Sequence, residues 1–208
     1  MIKVFINGGP VMWPLLICSI VTAATVLERL FFIIRERSRR KPRLLDEILK
    51  CVEHHDLEGA IKVGSNKPDF VARVLTFALA HRAESFSSAV LRAANLEIKG
   101  FNSGLAVLDT IVTLAPLLGL LGTVTGMIHA FGLLGAQQLD APEAITGGIS
   151  QALIATAFGL SIAITALIPF NYLNARLEEA RHDIEDAATQ LELHLEQCRE
   201  CAPKEHQP

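Results

Sequence analysis

Thr110–Ala136 reads TIVTLAPLLGLLGTVTGMIHAFGLLGA, and Ala144–Phe170 reads AITGGISQALIATAFGLSIAITALIPF. Neither stretch contains Asp, Glu, Lys or Arg. A hydrocarbon core of about 30 Å is crossed by about 20 helical residues. Both stretches therefore predict membrane spans rather than buried soluble helices. The connection between them, 137–143, is short, so the two spans run antiparallel. Thr123 sits at the centre of the first and Thr156 beside the centre of the second, and counting puts them at about one depth. A hydroxyl in lipid is costly unless it faces protein or water.

The rest of the chain fits a membrane protein with polar parts. Half of its 208 residues are hydrophobic, one-fifth are charged, and the mean hydropathy is +0.37. The net charge of −3 hides a segregation: 13 of the 19 Lys and Arg lie between Arg35 and Lys99. The same region holds nine acids and no aromatic-basic interleaving, which argues against a nucleic-acid surface. Positive-inside orientation accounts for it. The run 11–34 is apolar except for Glu28-Arg29, is longer than a signal-peptide core and lacks a small-x-small cleavage site. It reads as a first, retained span. Arg35, Arg37, Arg39, Arg40, Lys41 and Arg43 follow it at once and mark that end as cytoplasmic.

The expected fold class is an all-α membrane protein with three transmembrane helices and long cytoplasmic helical extensions. Its parts are a periplasmic N-terminus (1–10), spans at 11–34, 110–136 and 144–170, a cytoplasmic helical domain (35–109), a periplasmic loop (137–143) and a cytoplasmic helical tail (171–208). The loop agrees with this orientation, since it carries Asp140 and Glu143 and no Lys or Arg. In the cytoplasmic domain Leu44, Leu45, Ile48, Leu49 and Val52 form one stripe. Asp56 reads as an N-cap, Asn66-Lys67-Pro68-Asp69 as a break, and Phe70, Val71, Val74, Leu75 and Ala78 as the next stripe. From about Ser85 a helix is expected to run unbroken into the second span. Leu173, Leu177, Ala180, Ile184, Ala187, Leu191 and Leu195 give the tail one apolar face, which predicts packing on another helix.

Small residues pattern both central spans. Gly119, Gly122 and Gly126 share a face of the second span, and Gly159 joins Ala152, Ala155, Thr156 and Ala163 in the third. Such faces let helix backbones approach closely in lipid. Pro116 predicts a kink. Asp140-Ala-Pro-Glu143 reads as a capping box with Pro in the first turn. Asp109, Thr113, Leu120 and Thr123 fall on nearly one stripe from the cytoplasmic mouth to mid-membrane. Gln151 and His129 share a depth in the outer leaflet.

Each of these polar groups also has a structural reading. A membrane threonine commonly bonds a carbonyl of its own helix, Gln151 and His129 can join helices, and Asp109 can mark the membrane boundary. Glu28-Arg29 reads as an interfacial, snorkelling pair. The shared depth of Thr123 and Thr156 favours a common polar pathway. His129 is the only ionisable side chain in the two spans. A proton pathway normally needs an intramembrane carboxylate, so a proton-carrying chain of this kind must receive one from another polypeptide.

No enzyme is expected, because the polar parts show no nucleophile-base pair, metal set or phosphate loop. No cofactor is expected. Cys198 and Cys201, with His194 four residues upstream of the first, have metal-like spacing but no second ligand pair. The four cysteines do not predict disulfides: Cys18 lies in the first span and the others fall in segments assigned to the cytoplasm.

Ala115-Pro-Leu-Leu-Gly-Leu-Leu-Gly-Thr-Val-Thr-Gly-Met-Ile128 and Gly148-Ile-Ser-Gln-Ala-Leu-Ile-Ala-Thr-Ala-Phe-Gly159 resemble the MotA/TolQ/ExbB proton-channel family, and its ExbB-like members most closely. The stretch Gly-Gly-Pro-Val-Met-Trp-Pro at 8–14, followed by Glu28-Arg29, is similar too. The resemblance covers nearly the whole chain. It implies a pentamer in the bacterial inner membrane, with the second and third spans lining a pore. It implies an ExbD- or TolR-like single-span partner that supplies the missing Asp, and a TonB-like or TolA-like protein that receives the work. Thr123 and Thr156 match the family's two pore threonines. Gln151 stands where ExbB proteins often carry glutamate, which puts a protonation role for that position in doubt here. With three spans the chain departs from MotA proteins, which usually have four.

Overall fold

In the computed structural model the described residues are Phe5, 8–65, 67–82, 85–136 and 142–201, the side chains at 42, 133–136, 142–145 and 198–201 excepted. Among them there are seven α-helices and no strand: α1 Met12–Arg39, α2 Pro42–Glu53, α3 Leu57–Gly64, α4 Phe70–Ala80, α5 Phe86–Asn102, α6 Leu105–Ala136 and α7 Pro142–Cys201. Three helical stretches are long and apolar enough to cross a membrane, namely α1, Leu105–Gly132 of α6, and part of Thr146–Gln197 in α7. The fold is thus all-α with three membrane-length helices. Contacts divide it into two units, to both of which α1 and α7 contribute residues.

The first unit comprises Met1–Leu30 and Gly104–Leu173. Here Val11, Met12, Leu15 and Cys18 of the first-helix region pack with Ile111 and Ala115 of α6 and Ala163 and Ala166 of α7. Between 22 and 33% of each apolar window is buried within the chain. Ile17, Ile20, Leu117, Ile128, Leu153 and Ile164 are among the many large side chains left uncovered. A soluble monomer rarely leaves apolar surface so extensive and contiguous, and lipid or further helices are the natural cover. Thr22, buried here, donates its hydroxyl hydrogen to the Cys18 carbonyl at 2.8 Å and so stays inside its own helix.

Two expectations about the chain near Gly104 are corrected. The helix that begins after Ser85 does not continue into the second span. It ends at Asn102, where the Ser103 N–H closes on the Lys99 carbonyl at 3.2 Å, and Gly104 then turns with φ +80°. That left-handed conformation is open to glycine and strained for L side chains, so it stops one helix and lets α6 start afresh. Arg29 does not snorkel. It is 8% exposed, bonds Glu28 at 2.7 Å, and lies against Gly104, where an added Cβ would meet its Nε at 3.0 Å. Pro116 sits within α6 without ending it, and Asp140 of the expected capping box lies outside the described residues.

The second unit comprises Phe31–Ser103 and Asn174–Pro208. The expected stripes meet in its core. Ile48, Val52, Val71, Val74, Leu75 and Leu79 pack with Ile184, Ala187 and Leu191 of the tail. Three of the helices, α3, α4 and α5, begin at side-chain caps, as their sequences dictate: Asp56 accepts from Gly59 N–H, Asp69 from Val71 and Ala72 N–H, and Ser85 from Ser88 N–H. Asp69 is 1% exposed and does more than cap. It also accepts from Lys41 N–H at 2.6 Å and, through both oxygens, from Arg40 at 3.1 Å. Arg40 bonds Asp183 of α7 at 2.9 Å. A second knot joins Arg73 to Glu97 at 2.6 Å, with Glu36 3.6 Å away. The bonded Glu97 carboxylate pushes the Arg73 guanidinium above its ordinary value.

Candidate functional site

The small residues of α6 and α7 are packed on one another. An added Cβ at Gly119 would lie 3.1 Å from Thr156 Cα, one at Gly126 3.0 Å from the Gly148 carbonyl oxygen, and one at Gly122 would collide with Ala155 Cβ. Facing pairs run from Gly119 opposite Thr156 to Gly126 opposite Gly148, so the two helices are antiparallel. Gly159 is the tightest against backbone, with an added Cβ 2.5 Å from the Ala115 carbonyl oxygen and 3.0 Å from Gly119 Cα. Gly159→Ala should destabilise the helix pair by about 1–3 kcal/mol, the usual cost of overpacking. Gly147→Ala is the control, since nothing lies within 4 Å of the added methyl there. Thermal unfolding in detergent should separate the two; equal melting would mean that this contact does not hold the helices together.

That close approach shapes the polar chemistry. Thr156 Oγ1 donates to the Gly119 carbonyl of α6 at 2.9 Å, a bond between helices at their nearest point. Thr123, about one turn further along α6, instead donates to its own Leu120 carbonyl at 2.6 Å. In this register Thr156 lies opposite Gly119 rather than opposite Thr123. The two hydroxyls are therefore offset by about 6 Å along the helix axis at 1.5 Å per residue, not level. Thr123 lines a shallow groove on α6 with Val124, Met127, Ile128 and Phe131. Thr156, half-buried, faces α6.

The remaining sequence candidates are distributed around this pair. Gln151 is half-buried against Gly9, whose φ is +76° and whose place a side chain could not take without displacing the Gln151 amide. The Gly8-Gly9 turn thus seats on α7, with Ile154 also beside it. His129 is exposed on the single chain. Thr113 is exposed, and its hydroxyl lies 2.9 Å from the Thr110 carbonyl and 3.2 Å from the Asp109 carbonyl. Asp109 is exposed too, and Asp109, Thr113, Leu120 and Thr123 all keep some surface open on one side of α6. The structure therefore joins Thr156 to the Gly119 backbone and Gln151 to the N-terminal turn. It leaves Thr113 and His129 exposed and Thr123 half-buried.

Sequence reasoning passed over Gly148 and Ala130, which pack on each other further along the same seam. Gly148 lies four residues before Ala152, so the small-residue spacing already contained the signal. It also passed over the Gly119 carbonyl as a partner, which no side-chain pattern encodes. Among the described residues no cluster of His, Cys, Asp or Glu could hold a metal ion. Cys18 and Cys51 are free thiols, while the Cys198 and Cys201 side chains lie outside the described residues. His194, the third member of that candidate set, is 3.7 Å from Glu53. Hydroxyl, amide and imidazole groups can donate, accept and relay. None of them supplies a carboxylate among the described residues of the two spans.

Residues 65–186 match the model of the MotA/TolQ/ExbB proton channel family. A Synechocystis sp. protein named biopolymer transport protein ExbB-like 1 is 35% identical over 98% of this chain and 81% of its own length. A Xanthomonas campestris pv. campestris protein named biopolymer transport protein ExbB is 35% identical over 50% of this chain and 44% of its own. The Tol-Pal system protein TolQ of Haemophilus influenzae is 36% identical over 48% and 46%. With three apolar helices, a close glycine-lined pair between two of them, and a match to the family model over more than half its length, the chain belongs to the MotA/TolQ/ExbB proton channel family and is most like ExbB.

Proposed function

We propose that this chain is the channel subunit of an ion-driven motor in the bacterial inner membrane, which uses the proton motive force to energise a TonB-type system for outer-membrane transport. In this reading its N-terminus is periplasmic and its C-terminus cytoplasmic. Copies of the chain form a homo-oligomer, a pentamer by family resemblance, around a pore lined by α6 and α7. Thr123, Thr156, Gln151, Thr113 and His129 are its polar lining, and Asp109 stands at the cytoplasmic mouth. An ExbD- or TolR-like single-span protein inserts the Asp, and a TonB-like or TolA-like protein takes up the motion. The observation that carries the reading is the pairing of intramembrane hydroxyls with spans that contain no Asp or Glu, in a chain of this family. Such a site relays protons only when a second polypeptide brings a carboxylate.

Co-reconstitution tests it. Proteoliposomes holding this chain and a single-span partner with an intramembrane Asp should conduct protons, and should stop when that Asp is changed to Asn. Intact complexes that conduct nothing would support a non-conducting scaffold instead. The TolQ match favours one further reading, a subunit of a Tol-Pal envelope system. It differs in the protein that receives the work, and co-purification with a TonB-like or a TolA-like protein distinguishes the two.

A further inference from the structure

The second unit carries two surfaces of complementary charge. On the outward flank of α5, Leu91 and Leu96 are each 64% exposed, and Arg92 and Lys99 lie beside them along a shallow depression. Neither of these cations has an ion pair among the described residues. Between α5 and α7 runs an open groove of about 520 Å³. Its floor is apolar and partly made of small residues, with Val90, Ala94, Ile184 and Ala188; its α7 edge carries Glu185 and Glu192, and Arg181, at the same edge, lies 3.6 Å from Glu178.

The spacings match. Arg92 and Lys99 are seven residues apart, as are Glu185 and Glu192, so both pairs repeat at about 10.5 Å along a helix. The tail at 202–208 is a poorer occupant, because it holds one lysine and no large aliphatic side chain. Leu91 and Asn95 line both depressions, so the two surfaces adjoin round α5, and one copy cannot fold them onto each other. Different patches that meet between copies make a head-to-tail contact, which closes into a ring when the rotation allows.

We propose that the outward flank of α5 in one copy seats in the α5–α7 groove of the next, with Leu91 and Leu96 on its floor and Arg92 and Lys99 against Glu185 and Glu192. The proposal rests on the homo-oligomeric reading above and adds the surface and the sense of the contact. Two exposed ion pairs contribute little by themselves; the leucines supply adhesion and the charges set the register.

The test is cross-linking of the full chain in native membranes. All four native cysteines are replaced by alanine, and Leu96→Cys and Ala188→Cys are introduced singly and together. Only the double variant should cross-link, in a ladder that runs beyond the dimer. A product that stops at the dimer, or none while native mass still reports an oligomer, overturns this surface and leaves the oligomer standing. A chain that is monomeric by native mass overturns both. A second measurement keeps the native cysteines. Arg92→Glu with Lys99→Glu should cause loss of the oligomer on dilution, and adding Glu185→Arg with Glu192→Lys should restore it. Dissociation that is unchanged by the first pair, or not restored by the second, also overturns the contact.

Discussion

Thr156→Val is expected to cut proton flux by more than about tenfold while the complex still assembles. The magnitudes make the experiment decisive. The Thr156 hydroxyl makes one bond between helices, to the Gly119 carbonyl, and such bonds contribute only about 0.6–2 kcal/mol in a bilayer. The small-residue seam around it stays intact, since Gly122, Gly126 and Gly159 make their close approaches without it. Valine keeps the shape and removes the donor. A loss of flux with normal oligomer yield then reports on the hydroxyl as a relay rather than as an adhesive. Thr156→Ser, which restores a hydroxyl, should recover most of the flux. Thr123→Val should also impair flux, with even less effect on packing, because the Thr123 hydroxyl bonds within its own helix. Wild-type flux from both valine variants in proteoliposomes with the partner would remove the threonines from the pathway.

Asp69→Ala is expected to destabilise the second unit by about 3–5 kcal/mol, the cost of breaking one side of a buried ion pair. The carboxylate is almost fully buried and has four partners: the N–H groups of Val71, Ala72 and Lys41, and the Arg40 guanidinium. Alanine uncaps α4, strands the Lys41 N–H, and removes one of the two carboxylates that Arg40 bonds, leaving Asp183. In a unit of this size each kcal/mol moves the midpoint by several degrees, so its melting should fall by more than about 10 °C. Asp69→Asn keeps an N-cap of similar strength but loses the charge, and should fall between alanine and wild type. Circular dichroism and limited proteolysis of the full chain in detergent read this out. An alanine variant that melts within about 2 °C of wild type would show the network to be dispensable.

The small-residue spacing in the two central spans was legible because lipid leaves van der Waals approach as the chief means of joining helices. Gly119, Gly122, Gly126 and Gly159 all lie in the α6–α7 contact for that reason. The caps at Asp56 and Asp69 follow equally local rules, since a carboxylate next to an unsatisfied helix N-terminus has its partners within three residues. The break at Gly104 was missed for a reason of the opposite kind. A glycine among helix-compatible neighbours signals a stop only when the chain must turn, and the buried Arg29 that lies over it is 75 residues away in sequence. Arg29 itself looked interfacial because the Glu28-Arg29 dipeptide says nothing of what covers it.

By itself the sequence determined the helical class, the three membrane-length helices, the small-residue faces and the lack of any carboxylate in the two central spans. These depend on composition and on periods of three to four residues, which any helix must obey. Only the tertiary structure decided which helices meet and in what register. That register sets Thr156 opposite the Gly119 carbonyl and offsets it from Thr123, and it seats the N-terminal glycines on Gln151. Helix register depends on the summed fit of many weak contacts along a seam, and several registers a turn apart share the same pattern of small residues. Close packing of real side-chain volumes selects one of them, and with it the carbonyl that each hydroxyl bonds, Gly119 for Thr156 and Leu120 for Thr123.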